Sequence, residues 1–535
     1  MVKDIQRWLN SRQYSPQMQA TARLVLEDVQ RGAAWQKAVR HHPLPQGGYV
    51  PKHAVVEVYR QLVSLGEWDE DPALLASIRM KPMRSLSGVT TVTVLTKPFA
   101  CPGKCIFCPV DLQMPKSYLP DEPGASRAVQ NNFDPYRQVK SRLDSYLAVG
   151  HPIDKIELLI LGGTWSVYPA DYQEWFIQRC FDALNGFDSQ SLLEAHSANE
   201  TTHSRNVGLV IETRPEYITP AELRRLRQLG VTKVQLGAQS LDDHVLELNQ
   251  RGHTIADTLH ATSLLRRAGF KIVLHWMPNL LGSSLEMDHV DFARLWSDGY
   301  APDELKIYPV QLLQNSELFN IWKKGEYHPY STAELVGLLA DIKPSIPAYC
   351  RVNRVIRDIP STHVVAGNKR TSLRQDILAE IERRGEICGC IRCHEVSGRK
   401  ILLKELKLDD FIYSPEGGRE HFLSFRTPEN RIAGYLRLVL PDPIQSLGMD
   451  TGFPDLEKSA IIREVHVYGQ SLAVGGEQSG AAQHIGLGTR LMDRALEISR
   501  ESGYSRLAVI SAIGTRLYYE SRGFQRGELY MFKNI

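Results

Sequence analysis

The residues in this sequence with the clearest capacity for chemistry are its cysteines. Six of the eight fall in two short segments, CPGKCIFC and CGCIRC. The first segment contains Cys101, Cys105 and Cys108, and the second contains Cys388, Cys390 and Cys393. Cysteines at such close spacing do not make a disulfide framework, and clustered thiols in a reducing compartment indicate metal binding. The sequence therefore predicts two metal sites.

The first segment has the composition of an iron–sulfur site. Its three cysteines directly follow a predicted strand, and thiolates are the usual ligands of a 4Fe–4S cluster. Three protein ligands leave one iron free to bind a substrate or a cofactor. A structural zinc site completed by a distant cysteine or histidine is the alternative.

The second segment follows a predicted helix and is remote from any strand end. Tetrahedral zinc requires four ligands, and Cys350 is the best candidate for the fourth, with His394 as the alternative. We interpret this segment as a structural zinc clip between two domains. A second iron–sulfur cluster is the alternative interpretation.

A third motif lies near the C-terminus, where the segment QHIGLGTRLM spans 483–492. It combines a glycine-containing turn with the start of a predicted helix. The free backbone N–H groups and the positive dipole end of a helix N-terminus favour a pyrophosphate. Because a G-x-G turn alone is weak evidence, the surrounding elements must support it.

The elements that would position these motifs change in type along the chain. Residues 1–75 have helical periodicity, and from about 88 to 310 short β-rich runs alternate with amphipathic helical stretches. The predicted strands lie at 90–96, 155–161, 207–213, 232–238, 271–277 and 304–309. Such alternation predicts a parallel sheet with crossover helices, and six strands fit an incomplete barrel better than a closed one. The polar segment 187–206 is predicted to be a surface insertion.

The region after residue 400 has a different pattern. It begins with an antiparallel hairpin that turns at 428–430, followed by a strand, the glycine-containing turn with its helix, a further strand and a tyrosine-rich closing segment. The connector before it is basic and contains the second cysteine segment. The predicted organisation is therefore an α/β multidomain protein with parts at 1–75, 76–345, 346–400 and 401–535.

The composition supports several packed cores and no membrane span. The chain is 43% hydrophobic and 23% charged, with a formal net charge of +2. No window approaches 18 uncharged apolar residues, and the N-terminus lacks the apolar core of a secretory signal. We therefore expect a cytoplasmic protein.

Basic residues are unevenly distributed in this near-neutral chain. Residues 1–66 hold nine lysines and arginines against four acidic residues, and 351–374 hold six against one. Such stretches are typical of surfaces that bind a polyanion. A pair of solvated basic faces would have the same pattern.

The first cysteine segment, with Phe107 before its last cysteine, resembles the radical S-adenosylmethionine (SAM) superfamily. The resemblance implies that SAM binds the open iron and is cleaved to a 5′-deoxyadenosyl radical, which abstracts hydrogen from carbon. It also implies SAM-binding residues, most of them at the C-terminal ends of the predicted strands, where barrel enzymes place their sites. These residues are Gly162, Gly163, Thr164, Glu212, Gln239 and His275.

The order of elements after residue 400 resembles the GCN5-related N-acetyltransferase (GNAT) family. In that family the glycine turn binds the pyrophosphate of acetyl-CoA, a strand runs beside the pantetheine arm, and a tyrosine donates a proton to the leaving thiolate. The implied acetyl-CoA residues are Glu464, Val465, His466, Val467, Gln483, Gly486, Leu487, Gly488 and Thr489. Tyr519, favoured over Tyr518, is the implied catalytic tyrosine.

Together the two halves resemble one family, the catalytic subunits of Elongator. The motifs GGT (162–164), ETRP (212–215), NQRGHT (249–254), REVHVYG (463–469) and GTRLYYESRGF (514–524) carry the resemblance over about 75–535. It implies tRNA carboxymethyluridine synthesis. The radical abstracts a hydrogen from the acetyl methyl group, the carbon radical adds to C5 of the wobble uridine, and hydrolysis releases CoA. The compact spacing of the first cysteine segment implies a prokaryotic form that acts without accessory subunits.

Two further assignments depend on this resemblance. Lys155 is implied to contact acetyl-CoA and to take part in catalysis. The basic stretches are implied to hold the backbone of a tRNA anticodon stem-loop, whose target base must be splayed out to be reached. The implied tRNA-binding residues are Arg7, Lys37, Arg40, Lys52, Arg351, Arg354, Lys369 and Arg370.

A function from another class fits part of the sequence. A protein lysine acetyltransferase with a purely structural iron–sulfur domain would need a base near the acetyl group, and Glu464 is the candidate. In that interpretation the SAM-binding residues would have no purpose.

The fold expected from both resemblances is a partial (β/α)6 TIM-like barrel plus a GNAT α+β domain, preceded by a helical region.

Overall fold

The computed structural model of the chain describes residues 14–80, 88–396, 402–442, 451–468 and 486–535. Two residues that the sequence analysis assigns to sites, Arg7 and Gln483, lie outside these described residues.

A small helical domain precedes the first strand, as the sequence predicts. Its helices are α1 (Pro16–Gln30), α2 (Trp35–His41), α3 (Lys52–Ser64) and α4 (Pro72–Ile78). Ser15 and Asp71 cap α1 and α4 by accepting hydrogen bonds from backbone N–H groups of the first turn. The apolar faces form a separate core around Val25, Leu26 and Tyr59. The domain therefore folds around its own apolar contacts.

The central domain is built on an open parallel sheet of seven strands. In spatial order these are β1 (Thr90–Leu95), β2 (Lys155–Leu161), β3 (Arg205–Thr213), β4 (Lys233–Gln239), β5 (Lys271–Trp276), β6 (Glu304–Ile307) and β8 (Arg351–Arg354). Two short strands, β7 (Leu312–Leu313) and β9 (Val364–Ala366), pair separately. The six predicted strands are confirmed. The seventh, β8, comes from the segment predicted as a connector, because four residues reading RVNR carry too little periodicity to predict a strand.

Crossover helices connect the strands and cover the outside of the partial barrel. They are α5 (Pro123–Gln130), α6 (Pro135–Ala148), α7 (Ala170–Asn185), α8 (Leu192–Asn199), α9 (Pro220–Gln228), α10 (Asp243–Leu248), α11 (Ile255–Arg267), α12 (Leu285–Ser297), α13 (Glu317–Lys323) and α14 (Thr332–Ile342). Helices α15 (Leu373–Arg383) and α16 (Ile391–His394) follow β8 and β9. Thr254 with Asp257 forms a capping box that starts α11, and Gly186 ends α7 in the left-handed conformation.

The C-terminal domain is a second seven-stranded sheet with mostly antiparallel pairing. Its strands are β10 (Lys407–Tyr413), β11 (Gly418–Arg426), β12 (Ile432–Pro441), β13 (Ser459–Val467), β14 (Arg506–Val509), β15 (Gln525–Arg526) and β16 (Met531–Asn534), with helices α17 (Leu487–Glu501) and α18 (Arg516–Glu520). Among the described strands of this second sheet, only β13 and β14 pair in parallel. The predicted hairpin is confirmed, and Asn430 at its turn has φ 59°. Strand β10 was not predicted.

The prediction that 187–206 is a surface insertion is wrong. Helix α8 packs between the barrel and the C-terminal domain. Glu200, which directly follows the helix, is only 6% exposed. Its carboxylate accepts from Arg516 at 3.1 Å and from Arg526 at 2.6 Å. The segment is polar because its partners belong to another domain, and local polarity alone does not distinguish such a contact from exposure to solvent.

Ten charged side chains form a floor network where the N-terminal ends of the barrel strands meet the C-terminal domain. Acidic and basic members alternate through nine ion pairs: Glu157, Lys233, Glu304, Lys271, Glu464, Arg437, Asp303, Arg463, Glu420 and Arg266. Arg463 Nη2 lies 2.5 Å from Asp303 Oδ2, and Arg437 Nε lies 2.9 Å from Glu464 Oε2. The five acidic and five basic side chains give this buried network a formal charge of zero. The network joins the sheet of the central domain to the sheet of the C-terminal domain.

Candidate active site

One cavity of about 1470 Å³ extends from the first cysteine segment, through the inside of the partial barrel, to strand β13. Alternate side chains of each strand point inward, so the inner wall is made by residues at every second position. Cys105 lines one end, and Glu464 and His466 line the other. The first cysteine segment and the predicted acetyl-CoA strand β13 therefore line one continuous cavity.

The cysteine loop is held by backbone hydrogen bonds to distant elements. Ile106 N–H donates to the carbonyl of Asn249 at 3.3 Å, and the Leu318 N–H donates to the carbonyl of Ile106 at 2.9 Å. The Ile106 side chain is buried in an apolar cluster with Val245 and Leu280. These anchors direct Cys101, Cys105 and Cys108 into the cavity.

The surroundings of Cys105 favour its thiolate. A hydrogen bond from Cys108 lowers the pKa of Cys105 to about 4, with burial opposing this effect and the charges of Arg251 and Arg214 adding to it. Arg251 Nη1 lies 3.1 Å from the sulfur and Arg214 Nη1 lies 3.8 Å from it. Because the thiolate is the metal-binding form, three thiols on one loop with such donors fit an iron–sulfur cluster.

The predicted SAM turn requires glycine for a steric reason. Gly162 has φ +145°, and a Cβ at this position would lie 1.8 Å from Thr96 Oγ1. Gly163 follows with φ +98°. Thr164 Oγ1 is 3.9 Å from the sulfur of Cys101, so the turn lies directly beside the cysteine loop. A larger residue at 162 would displace strand β1 or the turn.

Glu212, Gln239 and His275 lie together at the C-terminal ends of β3, β4 and β5. Burial raises the pKa of Glu212 and lowers that of His275. Tyr118 donates to Glu212 at 3.3 Å, and a ring nitrogen of His275 is 3.0 Å from Gln235 Oε1. The Gln239 Oε1 has no hydrogen-bond partner among the residues that the structure describes. It is therefore available to a ligand.

At the other end of the cavity, the carboxylate of Glu464 is fully engaged. It accepts from Tyr435 and from Arg437 Nε, each at 2.9 Å, and from Lys271 Nζ at 2.5 Å. Burial opposes its charge, yet Lys271 and Arg437 lower the pKa of Glu464 well below its ordinary range. A carboxylate held in this way is a poor proton acceptor at neutral pH. The geometry therefore argues against Glu464 as the base of a lysine acetyltransferase.

Three other predicted acetyl-CoA residues share this end of the cavity: Val465, His466 and Tyr519. Burial lowers the pKa of His466 to about 3, so its imidazole is neutral, and its Nε2 has no hydrogen-bond partner within the described chain. Burial raises the pKa of Tyr519. Tyr519 therefore keeps its phenolic proton at neutral pH.

Other predicted acetyl-CoA residues lie outside this cavity. The turn at Gly486 has φ +69° and begins α17, and Gly488 lies beside the hydroxyl of Tyr518. Thr489 lines a separate pocket of about 160 Å³. Leu487 is buried and Val467 packs against the core. Lys155, the first residue of β2, does not line the main cavity, and burial lowers its pKa.

The second cysteine segment places three sulfurs within 4.8 Å of one another, those of Cys388, Cys390 and Cys393. Cys350 is buried nearby but is not part of this group, and Nδ1 of His394 is 3.2 Å from the Cys390 carbonyl oxygen instead. The buried ammonium of Lys343 lies 3.3 Å from the Cys388 sulfur. The structure thus brings three of the predicted zinc ligands together, and the identity of the fourth stays a prediction.

The predicted tRNA-binding residues differ in their availability. Lys37, Arg40, Lys369 and Arg370 are exposed. Lys52 donates to the carbonyl of Arg79 at 2.9 Å, and Arg351 donates to Glu395 at 2.9 Å and Tyr468 at 3.0 Å. Arg354 pairs with Asp358. Lys52 and Arg351 therefore have hydrogen-bond partners within the chain.

Several functional candidates are absent from the sequence analysis. Arg127 and Arg142 line the cavity near β1, and Arg374 and Arg392 line it near β8. Arg214 and Arg251 are directed at Cys105. The ETRP and NQRGHT motifs contain these last two residues, so the signal was present, but only the fold shows where their side chains point.

Comparison with known proteins agrees with this geometry. The model of the radical SAM superfamily matches residues 97–293, and that of the radical SAM C-terminal domain matches 302–383. The chain is 42% identical to a tRNA uridine(34) acetyltransferase of Dehalococcoides mccartyi, with 85% of this chain and 99% of the relative covered. It is 36% identical to Elongator complex protein 3 of Danio rerio, with 86% and 87% covered.

A solved structure has the same architecture. The archaeal Methanocaldococcus infernus Elp3 with an N-terminal deletion superposes with a TM-score of 0.72 at 36% identity, covering 84% of this chain and 100% of that chain. Within the described residues, no helix has the length and apolar character needed to cross a membrane.

Proposed function

The chain belongs to the family of tRNA uridine(34) acetyltransferases and Elongator complex protein 3, and from this premise we propose how its own residues carry out the reaction. It is a radical SAM enzyme that depends on acetyl-CoA and modifies the wobble uridine of tRNA. We propose that the group installed is a carboxymethyl group at C5 of that uridine, with its two carbons supplied by acetyl-CoA. Because its substrate is tRNA, we place its action in the cytoplasm.

The observation that carries this proposal is the continuity of the cavity. Lys271 at the floor end of β5 and His275 at its other end are four residues apart, which corresponds to about 13 Å at about 3.3 Å per residue. Both side chains line the same cavity. An acetyl group carried on a flexible arm from β13 can approach the cysteine loop along this inner wall.

The residues at the top of the barrel have binding and orienting roles in this proposal. Cys101, Cys105 and Cys108 would hold the cluster, which with SAM would supply the radical that activates the methyl carbon. The remaining predicted SAM residues would orient the cofactor: Gly162, Gly163, Thr164, Glu212, Gln239 and His275. Gln239 Oε1, which has no hydrogen-bond partner in the described part of the chain, and the carboxylate of Glu212 are acceptors for the polar groups of a nucleoside.

The residues at the floor would position and release the acyl carrier. The backbone of β13 at 464–467 would run beside the pantetheine arm, and Tyr519 would donate its proton to the CoA thiolate when the thioester is hydrolysed. The turn at Gly486–Thr489, together with Gln483, would bind the pyrophosphate. The catalytic contact of Lys155 stays a prediction, because Lys155 is the first residue of β2 and does not line the cavity.

The open side of the barrel is the proposed entrance for the anticodon loop. Among the described strands, the edge strands β1 and β8 do not pair with each other. Arg127 and Arg142 line the cavity beside one edge, while Arg374 and Arg392 line it beside the other. Arginines on both sides of a gap suit a phosphate backbone, and exposed Lys37, Arg40, Lys369 and Arg370 would extend the contact.

We propose that the second cysteine segment binds zinc as a structural clip. Three thiolates carry one more negative charge than the metal neutralises, and the buried ammonium of Lys343 beside Cys388 offsets that charge. Since one chain contains both chemical centres, we further propose that the protein acts without accessory subunits.

The test is a reaction with the purified full chain, reconstituted anaerobically and supplied with dithionite, SAM, acetyl-CoA and unmodified tRNA. The tRNA is digested and carboxymethyluridine is sought by mass spectrometry, with SAM or acetyl-CoA omitted in controls. We expect product only when both are present. Acetylation of a protein lysine without SAM, and no modified uridine, would instead support the acetyltransferase interpretation.

A further inference from the structure

We propose that Arg214 is a positioning residue that fixes the cysteine loop and raises the reduction potential of the cluster bound there. This inference rests on the proposed function, because it assumes that Cys105 is a ligand of an iron–sulfur cluster. It concerns a side chain that has no role in the account of the reaction given above.

Arg214 bridges three segments that meet at the top of the barrel. It follows β3 and is 6% exposed. Its Nε donates to Glu216 at 2.5 Å, its Nη2 donates to the backbone carbonyl of Arg251, and its Nη1 points at the Cys105 sulfur at 3.8 Å. Because a guanidinium is planar and rigid, these contacts fix the orientation of its charge toward the cysteine.

The cysteine loop is shaped around this side chain. A Cβ placed on Gly103 would lie 2.2 Å from Arg214 Nη1 and 3.4 Å from the Cys105 sulfur. A side chain at position 103 would therefore collide with the guanidinium of Arg214 in the orientation that its other contacts hold. Gly103 thus leaves room for the side chain of Arg214, which is a requirement separate from the conformation of the loop.

A fixed positive charge beside a cluster thiolate changes the cost of reduction. Reduction adds one electron, supplied in the test by dithionite, and no bond forms or breaks at Arg214. The added negative charge is stabilised by a nearby cation in a buried site, where solvent screening is weak. Hydrogen bonds to the sulfurs and local charge are among the factors that set cluster potentials. Arg214 therefore makes the cluster easier to reduce.

Glu216 makes the proposal testable in two directions. Its carboxylate neutralises part of the Arg214 charge. Removing the arginine charge lowers the midpoint potential, whereas removing the glutamate charge raises it. A side chain with a merely structural role would disturb the site in the same direction from either substitution, so the sign of the shift separates the two explanations.

The experiment is a potentiometric titration of the anaerobically reconstituted full chain, followed by EPR of the reduced cluster, for R214Q, R214K and E216Q. We expect R214Q to show about a tenfold lower ratio of reduced to oxidised cluster at a fixed potential, equivalent to about 59 mV for one electron. R214K keeps a positive charge but loses the planar set of guanidinium donors, so we expect a smaller shift of the midpoint potential than in R214Q. E216Q shifts the potential upward.

The matched control is R225Q. Arg225 is an arginine on α9, the next helix along the chain, and it pairs with Glu174 on the outside of the barrel. We expect the midpoint potential of the R225Q variant to equal that of the parent chain. An unchanged midpoint in R214Q with unchanged iron content overturns the proposal. If R214Q does not retain iron, a downward or absent shift in E216Q overturns it.

The controls also separate this inference from the proposed function. A parent chain that shows no 4Fe–4S signal after reconstitution would refute the proposed function itself. A normal signal with no dependence on the charge at 214 or 216 would refute the role of Arg214 alone.

Discussion

Asp303 is the member of the floor network whose loss has the most definite consequence. It is fully buried directly before β6, and its carboxylate pairs with Arg463 at 2.5 Å and with Arg437 at 3.3 Å, both on the C-terminal domain. It also accepts from the Ile272 N–H at 2.8 Å. Asp303→Asn keeps the shape but removes the charge between two buried guanidiniums.

The magnitude follows from what the substitution leaves behind. The ten-residue network contains equal numbers of acidic and basic groups, so the variant carries one uncompensated positive charge in a buried site. Removing one partner of a buried ion pair costs about 3–5 kcal/mol, because the remaining charge is desolvated without compensation. We expect the variant to lose about this much free energy of unfolding, with the contact between the two sheets weakened.

The assay is urea unfolding of the full chain followed by far-UV circular dichroism, with the midpoints compared at equal slope. Asp298→Asn is the control, since Asp298 pairs with Arg294 on the exposed face of α12. Its loss should cost no more than about 0.5 kcal/mol. A difference of less than about 1 kcal/mol for Asp303→Asn would refute the reasoning.

We also expect the stability difference between the parent chain and Asp303→Asn to depend on pH. Burial opposes the charge of Asp303, but Arg463 and Arg437 lower its pKa in the folded state. A lowered pKa contributes stability that is present above the unfolded value of about 3.9 and is lost as the pH falls through the folded value. The stability gap between parent and Asp303→Asn should therefore persist at neutral pH and narrow below about pH 4. A constant gap across this range would contradict the assignment.

Three further predictions concern the reaction. Cys105→Ala should abolish carboxymethylation and leave tRNA binding unchanged, because it removes a cluster ligand and none of the arginines of the open side; gel shift and nucleoside mass spectrometry measure the two effects. Tyr519→Phe should lower release of CoA by about 10²-fold or more with acetyl-CoA affinity retained, since it removes only a proton donor; free thiol appearance reports it. Arg392→Glu should weaken tRNA binding and reduce the slope of log affinity against log salt by about 1, as expected for one lost phosphate contact.

Each of these predictions has a contrary result. Carboxymethyluridine formed by Cys105→Ala would exclude the radical mechanism, and full CoA release by Tyr519→Phe would transfer the donor role to another group. Lys97→Glu is the matched control for Arg392→Glu, because Lys97 is a basic residue packed over the Tyr172 ring, outside the cavity lining. Equal losses of tRNA affinity in the two variants would remove the arginine-lined opening as the specific entrance.

The sequence alone determined the features that depend on local pattern. The cysteine spacing indicated two metal sites, alternation of strands and helices indicated a parallel sheet, and the glycine turn before α17 indicated a phosphate-binding helix start. Six barrel strands and the C-terminal hairpin follow from periodicity and turn residues, which are properties of consecutive residues. The predicted strands, the hairpin and the helix that follows the glycine turn agree with the fold, because each depends on neighbours in the chain. The metal-binding and phosphate-binding roles of these segments stay predictions.

The tertiary structure decided which distant side chains meet. Glu464 was offered as a base from its position in a motif, but Lys271 and Arg437 come from other strands and hold it ionised. Three cysteines of the second segment converge, while Cys350 lies outside their group. The placement of Arg214 against Cys105 joins segments more than 100 residues apart. Charge and coordination act through space over a few ångströms, so pairings between such distant residues cannot be obtained from the order of residues alone.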